Sequence, residues 1–101
     1  MVPVVEEHID EIAELCRCNK VKRLELFGSA LKAERFDVSG SDLDFVVDFL
    51  PESDVKKGFF ALLLGLEDIF SRKIDLVMAR AIKNRFFKQV LDQQKELVYG
   101  A

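Results

Sequence analysis

Residues 41–47 read Ser-Asp-Leu-Asp-Phe-Val-Val and follow, after a polar connection, the segment Phe27-Gly28-Ser29. The pattern predicts a strand that ends in a tight turn, a helix start, and a second strand with two carboxylates at its beginning. Successive side chains of a strand point to opposite faces, so Asp42 and Asp44 would share a face with about 6.6 Å between their backbones. Two acids beside a turn with unpaired backbone N–H groups form a natural cradle for metal ions and phosphate.

The remaining apolar patterns predict an alternation of helices and strands in the order α-β-α-β-α-β-α. Helices are expected at 4–17, 29–35, 55–70 (capped by Asp54) and 82–91, and strands at 21–27, 43–50 and 73–78, before a tail through Leu97, Val98 and Tyr99. Helices packed on a small mixed sheet of three or slightly more strands are the expected architecture, an α/β (α+β) fold. The pattern leaves strand directions open. The length of 101 residues indicates a single domain over residues 1–101.

Composition and charge narrow the classes of function. The net charge is −3, with 15 basic and 18 acidic residues and no basic stripe, which argues against a protein that binds nucleic acid directly. No membrane span and no secretion signal are expected. Cys16 and Cys18 are too close for an ordinary disulfide, and no cluster of Cys and His suggests zinc. We therefore expect a reduced, cytoplasmic protein with two inert thiols, one buried and the other at a helix end.

A third acid, Asp75, lies in the apolar segment Ile74-Asp75-Leu76. An acid in an apolar strand is costly to bury unless it is paired or bound to a cation. If this strand neighbours the strand of Asp42 and Asp44, three carboxylates can reach one spot, and their repulsion calls for a cation. Mg²⁺ prefers oxygen ligands, including carboxylates and substrate phosphates. Two such ions about 3.5–4 Å apart can stabilise both the attacking and the leaving oxygen in a displacement at phosphorus.

Other polar residues carry weaker signals. Gly28 lets the backbone approach an anion closely and Ser29 offers a hydroxyl, although most Gly-Ser pairs are merely turns. The turn is not a Walker loop, because no Gly-Lys-Ser/Thr follows it. Asp48 shares the parity of Asp44 but would lie roughly 13 Å beyond it at strand rise, and is expected to be an exposed strand-end acid. His8 is expected to lie on the surface of the first helix.

As a set, these residues resemble the minimal nucleotidyltransferases (MNT) of the DNA polymerase beta superfamily. The resemblance rests on Gly28-Ser29, on Ser41-Asp42-Leu43-Asp44-Phe45-Val46-Val47, and on Ile74-Asp75-Leu76-Val77. It covers nearly the whole chain and implies the nucleotidyltransferase fold.

The resemblance also implies roles for single residues. Asp42 and Asp44 would bind two Mg²⁺ ions, with Mn²⁺ as a substitute, and Asp75 would be the third metal-binding acid, able to accept the acceptor's proton. The nucleotide's phosphates would be held by Gly28, Ser29, Ser41 and Lys32. Lys32 falls where many members have a basic residue, and a solvated helix face is an equal alternative for it.

Family members of this size usually act with a separate helical partner of the HEPN type, often as a toxin–antitoxin pair. The resemblance therefore implies an antitoxin that transfers AMP from ATP to a tyrosine of that partner. The alternative is a non-catalytic subunit that neutralises a helical partner by binding it. The adjacent pairs Phe59-Phe60 and Phe86-Phe87 favour such binding, because one Phe of each pair would lie outside the core. Self-association is also left open. A haloacid dehalogenase is disfavoured, because in that family the acids follow the apolar run.

Overall fold

The computed structural model describes residues 3–27, 43–83 and 95–100. These residues form helices α1 (Pro3–Glu6), α2 (Ile9–Cys18) and α3 (Val55–Phe70), strands β1 (Val21–Phe27), β2 (Leu43–Phe49), β3 (Ile74–Met78) and β4 (Lys95–Gly100), and a 3-10 turn at Ala79–Ala81. The predicted helix at 29–35 and most of the predicted helix at 82–91 lie outside the described residues. Ile82 and Lys83, at the start of the latter, are not helical.

The four strands form one mixed sheet in the order β3-β2-β1-β4. β2 pairs parallel with β3, whereas β1 pairs antiparallel with both β2 and β4. The predicted mixed α/β architecture is confirmed. The prediction of a tail through Leu97, Val98 and Tyr99 is wrong, because these residues belong to β4 and hydrogen-bond to β1. A register shift between Leu24 and Glu25 accommodates the extra residue of β4.

The hydrophobic core lies between the sheet and the helices α2 and α3. Leu43, Phe45, Val47 and Phe49 alternate along β2 and are at most 1% exposed, as expected when one side of a strand faces a core. They pack in one cluster with residues of α2 and α3: Ile12, Cys16, Leu62, Leu66 and Phe70. The pattern of large apolar residues at helical spacing therefore fixes which face of the sheet the helices cover.

The predicted first helix is divided into α1 and α2 by a turn at Glu7 and His8. The backbone N–H of His8 bonds to Val5 O over 3.1 Å, and the His8 carbonyl then accepts from Ile12 N over 2.9 Å. The His8 ring is half-buried and stands edge-on to Phe70, with the ring centroids 5.4 Å apart. The expectation of a plain helix-surface histidine is therefore wrong, since a contact with α3 draws the ring inward.

Both cysteines lie where the sequence predicts, one buried and one at a helix end. Cys16 is fully buried in the core, and loss of solvation raises the pKa of its thiol to about 12. Cys18 is the last residue of α2 and is exposed. Within the described residues, no helix has both the length and the apolar character that crossing a membrane requires.

These positions predict unequal reactivity of the two thiols. In native protein at neutral pH, a thiol reagent such as DTNB should modify only Cys18, because Cys16 is shielded and remains protonated. In denaturant Cys16 should become accessible, so that a second equivalent of the reagent reacts. Rapid modification of both thiols in native protein would contradict the placement of Cys16.

The cap at the start of α3 predicts how a substitution of Asp54 changes the stability of the protein. Asp54 caps the helix as expected, its Oδ1 accepting from Lys57 N over 3.3 Å. Asp54→Ala should lower the free energy of unfolding by about 1 kcal/mol, because an N–H of the first turn loses its acceptor. Asp54→Asn is the matched control, since it keeps a capping oxygen. Urea denaturation measures both, and an unchanged midpoint for Asp54→Ala would argue against this cap.

Candidate active site

The sheet face opposite the helices carries the candidate catalytic acids. Alternation along β2 turns Asp44 and Asp48 to this face, away from the core. One row of paired positions runs across all four strands: Asp75, Asp44, Phe27 and Lys95. Residues paired across neighbouring strands lie on the same side of a sheet, so the row defines one end of this face.

Asp44 and Asp75 are direct partners in the parallel pairing of β2 with β3. Neighbouring strands lie about 4.7–4.9 Å apart, so two carboxylates project from adjacent positions on one side. Asp75 is exposed and has no hydrogen bond or ion pair with any other described residue. Like charges directly opposite each other destabilise a sheet. Repulsion of this kind suits a cation that both acids can bind.

The other predicted site residues, namely Gly28, Ser29, Lys32, Ser41 and Asp42, lie outside the described residues. The described chain stops at Phe27 and resumes at Leu43. Phe27 pairs with Asp44, so β1 ends next to the position where the two acids meet. The structure therefore brings together Asp44 and Asp75 of the predicted set, and the roles of all seven residues stay predictions.

Two further acids on this face are neutralised by cations that sequence reasoning missed. Glu25 Oε2 lies 3.1 Å from Lys95 Nζ, and only 12% of the Glu25 side chain is exposed. Asp48 Oδ1 lies 3.0 Å from Arg80 Nη2, which also donates to the carbonyl of Phe49 over 3.1 Å. The expectation that Asp48 is a plain exposed acid is wrong, because Arg80, in the 3-10 turn that follows β3, pairs with it. The parallel order of β2 and β3, which the sequence left open, is the missing signal.

The oxygen donors at this end of the sheet meet the preferences of a divalent cation. Hard cations such as Mg²⁺ prefer carboxylate oxygens, and the Asp44–Asp75 pair offers them from two rigid strands. Within residues 3–27, 43–83 and 95–100, no three His, Cys, Asp or Glu side chains gather in a way that could hold a metal. The third predicted ligand, Asp42, falls outside that part of the chain. Asp44 and Asp75 therefore fit a Mg²⁺ site.

The sequence family described as "Polymerase beta, Nucleotidyltransferase" matches residues 10–100. The chain belongs to this family. It is accordingly a nucleotidyltransferase, and the resemblance seen in the sequence is confirmed. The matched residues include both acids of the Asp44–Asp75 pair.

Two proteins of Methanocaldococcus jannaschii that are similar to this chain are named as protein adenylyltransferases. One is 38% identical over 80 residues, covering 79% of this chain and 76% of that protein. The other is 30% identical over 101 residues, covering 90% of this chain and 96% of that protein. Both relatives are therefore similar to this nucleotidyltransferase over most of their length.

Solved structures confirm the nucleotidyltransferase fold. A protein named as a minimal nucleotidyltransferase has a TM-score of 0.73 at 25% identity, covering 91% of this chain and 90% of that one. A toxin–antitoxin structure with AMP-PNP has a TM-score of 0.65 at 24% identity, covering 92% and 73%. A complex of tri-AMPylated Shewanella oneidensis HEPN toxin with MNT antitoxin has a TM-score of 0.62 at 22% identity, covering 96% and 73%.

The like-charged pair predicts that removing one acid stabilises the protein. Asp75→Asn should raise the free energy of unfolding by roughly 0.2–1 kcal/mol in buffer without divalent ions, because repulsion from Asp44 is relieved. The matched control is Asp48→Asn, which breaks the ion pair with Arg80 and should leave stability unchanged or lower it. Urea denaturation of the three proteins measures the difference. A loss of stability in Asp75→Asn as large as in the control would contradict the repulsion.

Proposed function

We propose that this nucleotidyltransferase transfers AMP from ATP to a hydroxyl group of a partner protein, with release of pyrophosphate. The single observation that carries the proposal is the pairing of Asp44 with Asp75 on adjacent strands. Membership of the family and the names of the two similar Methanocaldococcus proteins support it. In the reaction, the acceptor oxygen bonds to the α-phosphorus of ATP while the bond from that phosphorus to the pyrophosphate oxygen breaks.

Each acid receives a role in this proposal. Asp42, Asp44 and Asp75 would hold two Mg²⁺ ions, for which Mn²⁺ can substitute. When bound, such ions neutralise phosphate charge and stabilise the attacking and leaving oxygens. Asp75, the exposed acid of the described pair, would also accept the proton that the acceptor hydroxyl loses. The packing of β2 and β3 on the core supports these roles, because it holds the backbones of Asp44 and Asp75 on adjacent strands before the substrate arrives.

The phosphate contacts are proposed from sequence. Gly28, Ser29 and Ser41 would bind the triphosphate through backbone N–H groups and hydroxyls, and Lys32 would add a positive charge. The end of β1 at Phe27, beside Asp44, supports this assignment, because residue 28 follows it directly. We also propose that residues 1–101 act as one domain and that the protein is cytoplasmic, where ATP is supplied.

The acceptor is proposed to be a tyrosine of a HEPN-type helical protein, and this chain its antitoxin. The support comes from similar solved structures, among them the complex of tri-AMPylated HEPN toxin with MNT antitoxin. Adding AMP to a tyrosine turns a neutral side chain into a bulky anion, which changes both the charge and the shape of the surface around it. The antitoxin would thus act through a covalent change on its partner.

The test is transfer of label from [α-³²P]ATP to the HEPN-type partner in the presence of Mg²⁺. We expect the native protein to label the partner, and Asp44→Asn to reduce the rate by roughly 100-fold or more, as for the loss of a group that stabilises transition-state charge. Asp48→Asn is the matched control, because Asp48 lies on the same strand and face as Asp44 and is not one of the three proposed metal-binding acids. It should retain transfer. Undiminished transfer by Asp44→Asn would overturn the assignment of the acids.

A second candidate is a non-catalytic subunit that neutralises the partner by binding alone. Leu97 favours it, since this apolar side chain on β4 is 54% exposed and pairs with Glu25 on the face of the acids. Neutralisation by a variant with Asp42, Asp44 and Asp75 all changed to Asn would support binding alone. Neutralisation that requires both ATP and these acids would exclude it.

A further inference from the structure

Helix α3 exposes two large apolar side chains on the side that faces away from the sheet. Phe60 and Leu64 are each 63% exposed, more than Leu97, the other large exposed apolar residue among those described. Their spacing of one helical turn makes them neighbours on the surface. Phe59 is half-buried and packs on the core, so one Phe of this pair lies outside the core, as the sequence predicts. An exposed apolar patch of this kind commonly marks a contact with another protein.

Charged residues flank this patch in an ordered way. Lys56 and Lys57 lie one turn before Phe60, and an acidic pair follows Leu64 by one turn. Among the described residues, none of these four charged side chains forms an ion pair. We call the six residues the α3 face: Lys56, Lys57, Phe60, Leu64, Glu67 and Asp68.

The α3 face is symmetric about Leu62 with opposite charges at its two ends. Phe60 and Leu64 are each two residues from Leu62. Lys57 and Glu67 are each five residues from it, and Lys56 and Asp68 are each six residues from it. At about 100° per residue, all six side chains fall within about 60° of one direction on the helix. The basic end and the acidic end are therefore equally far from the centre, about 7–9 Å away along the helix at 1.5 Å per residue.

We propose that the α3 face is a homodimer interface in which α3 packs antiparallel against α3 of a second copy. A two-fold axis between the two helices, perpendicular to them and level with Leu62, brings the basic end of each copy opposite the acidic end of the other. Residues on the same side of the helix surface then meet: Lys56 faces the partner's Glu67, and Lys57 faces the partner's Asp68. Phe60 meets the partner's Leu64. Such a self-complementary patch is what an isologous two-fold interface requires.

Charge complementarity favours a second copy of this chain as the occupant of the α3 face, and an antiparallel orientation of the two helices. A parallel arrangement would set lysine against lysine and acid against acid, which is unfavourable at an interface. The antiparallel arrangement creates four ion pairs, because each of the two kinds occurs twice. A pocket of about 170 Å³, lined by Val55, Lys56, Phe59, Phe60 and Met78, opens beside Phe60 at the basic end of the α3 face.

The proposed dimer goes beyond the transfer reaction and leaves its site accessible. α3 packs on the sheet face that carries Phe45 and Leu43, whereas Asp44 and Asp75 lie on the other face. Two copies joined through α3 would therefore present two sets of acids on opposite outer sides. Failure of dimerisation and failure of transfer are separate results.

The test is sedimentation equilibrium of the full chain over a concentration series, with charge variants of the α3 face. The acidic variant carries Lys56→Glu and Lys57→Glu, and the basic variant carries Glu67→Lys and Asp68→Lys. Each alone should dimerise at least about tenfold more weakly than the native chain, because all four ion pairs become repulsive. An equimolar mixture should dimerise like the native chain, since opposite charges face each other again.

Two further variants separate this contact from general charge effects and from unfolding. Lys22→Glu with Lys73→Glu changes the net charge by the same amount at exposed positions outside the α3 face, and should dimerise like the native chain. Leu64→Glu should abolish dimerisation while the far-ultraviolet circular dichroism stays native, because Leu64 is exposed. The proposal is overturned if the native chain stays monomeric throughout the series, or if the mixture associates no better than its components. Loss of HEPN-partner binding in Leu64→Glu, with a monomeric native chain, would assign the face to that partner.

Discussion

The parallel pairing of β2 with β3 is the constraint on which the candidate site depends. It makes Asp44 the direct partner of Asp75, and a slip of one residue would send Asp75 to the opposite side of the sheet. The core fixes the register, because Ile74 and Leu76 on either side of Asp75 are buried with Leu43 and Phe45. The apolar side chains that pack in the core thus fix the positions of Asp44 and Asp75 on the opposite face, although these two acids repel each other.

The two faces of the sheet have different roles: one stabilises the fold, and the other carries the candidate catalytic acids. One face is apolar and packs against α2 and α3. On the other face, Glu25 and Asp48 are each paired with a cation, whereas Asp75 is exposed and forms no ion pair with another described residue. Asp44 is its direct partner on the neighbouring strand. We propose that the metal and the substrate of the transfer reaction bind at these two positions.

Local patterns predicted much of this structure, and long-range contacts account for what they missed. The strand at Val21–Phe27 and the Asp54 cap follow from alternation and helix-cap chemistry within a few residues. The shared face of Asp44 and Asp75 also requires β3 to pair with β2, which the sequence left as a condition. The ring of His8 contacts Phe70 on α3, and Asp48 pairs with Arg80. β4 is a strand because its backbone finds a partner in β1. None of these contacts is encoded in neighbouring sequence, so periodicity could not reveal them.

The central claim is that acids from adjacent strands jointly bind a divalent cation, and that this cation engages a nucleotide. The most direct measurement is a crystal structure with a non-hydrolysable ATP analogue and Mn²⁺, whose anomalous signal locates the metal. The account predicts a manganese peak within ligand distance of carboxylate oxygens of both Asp44 and Asp75, in contact with the triphosphate. A nucleotide bound with its metal away from this pair, or with Asp75 turned from it, would contradict the account.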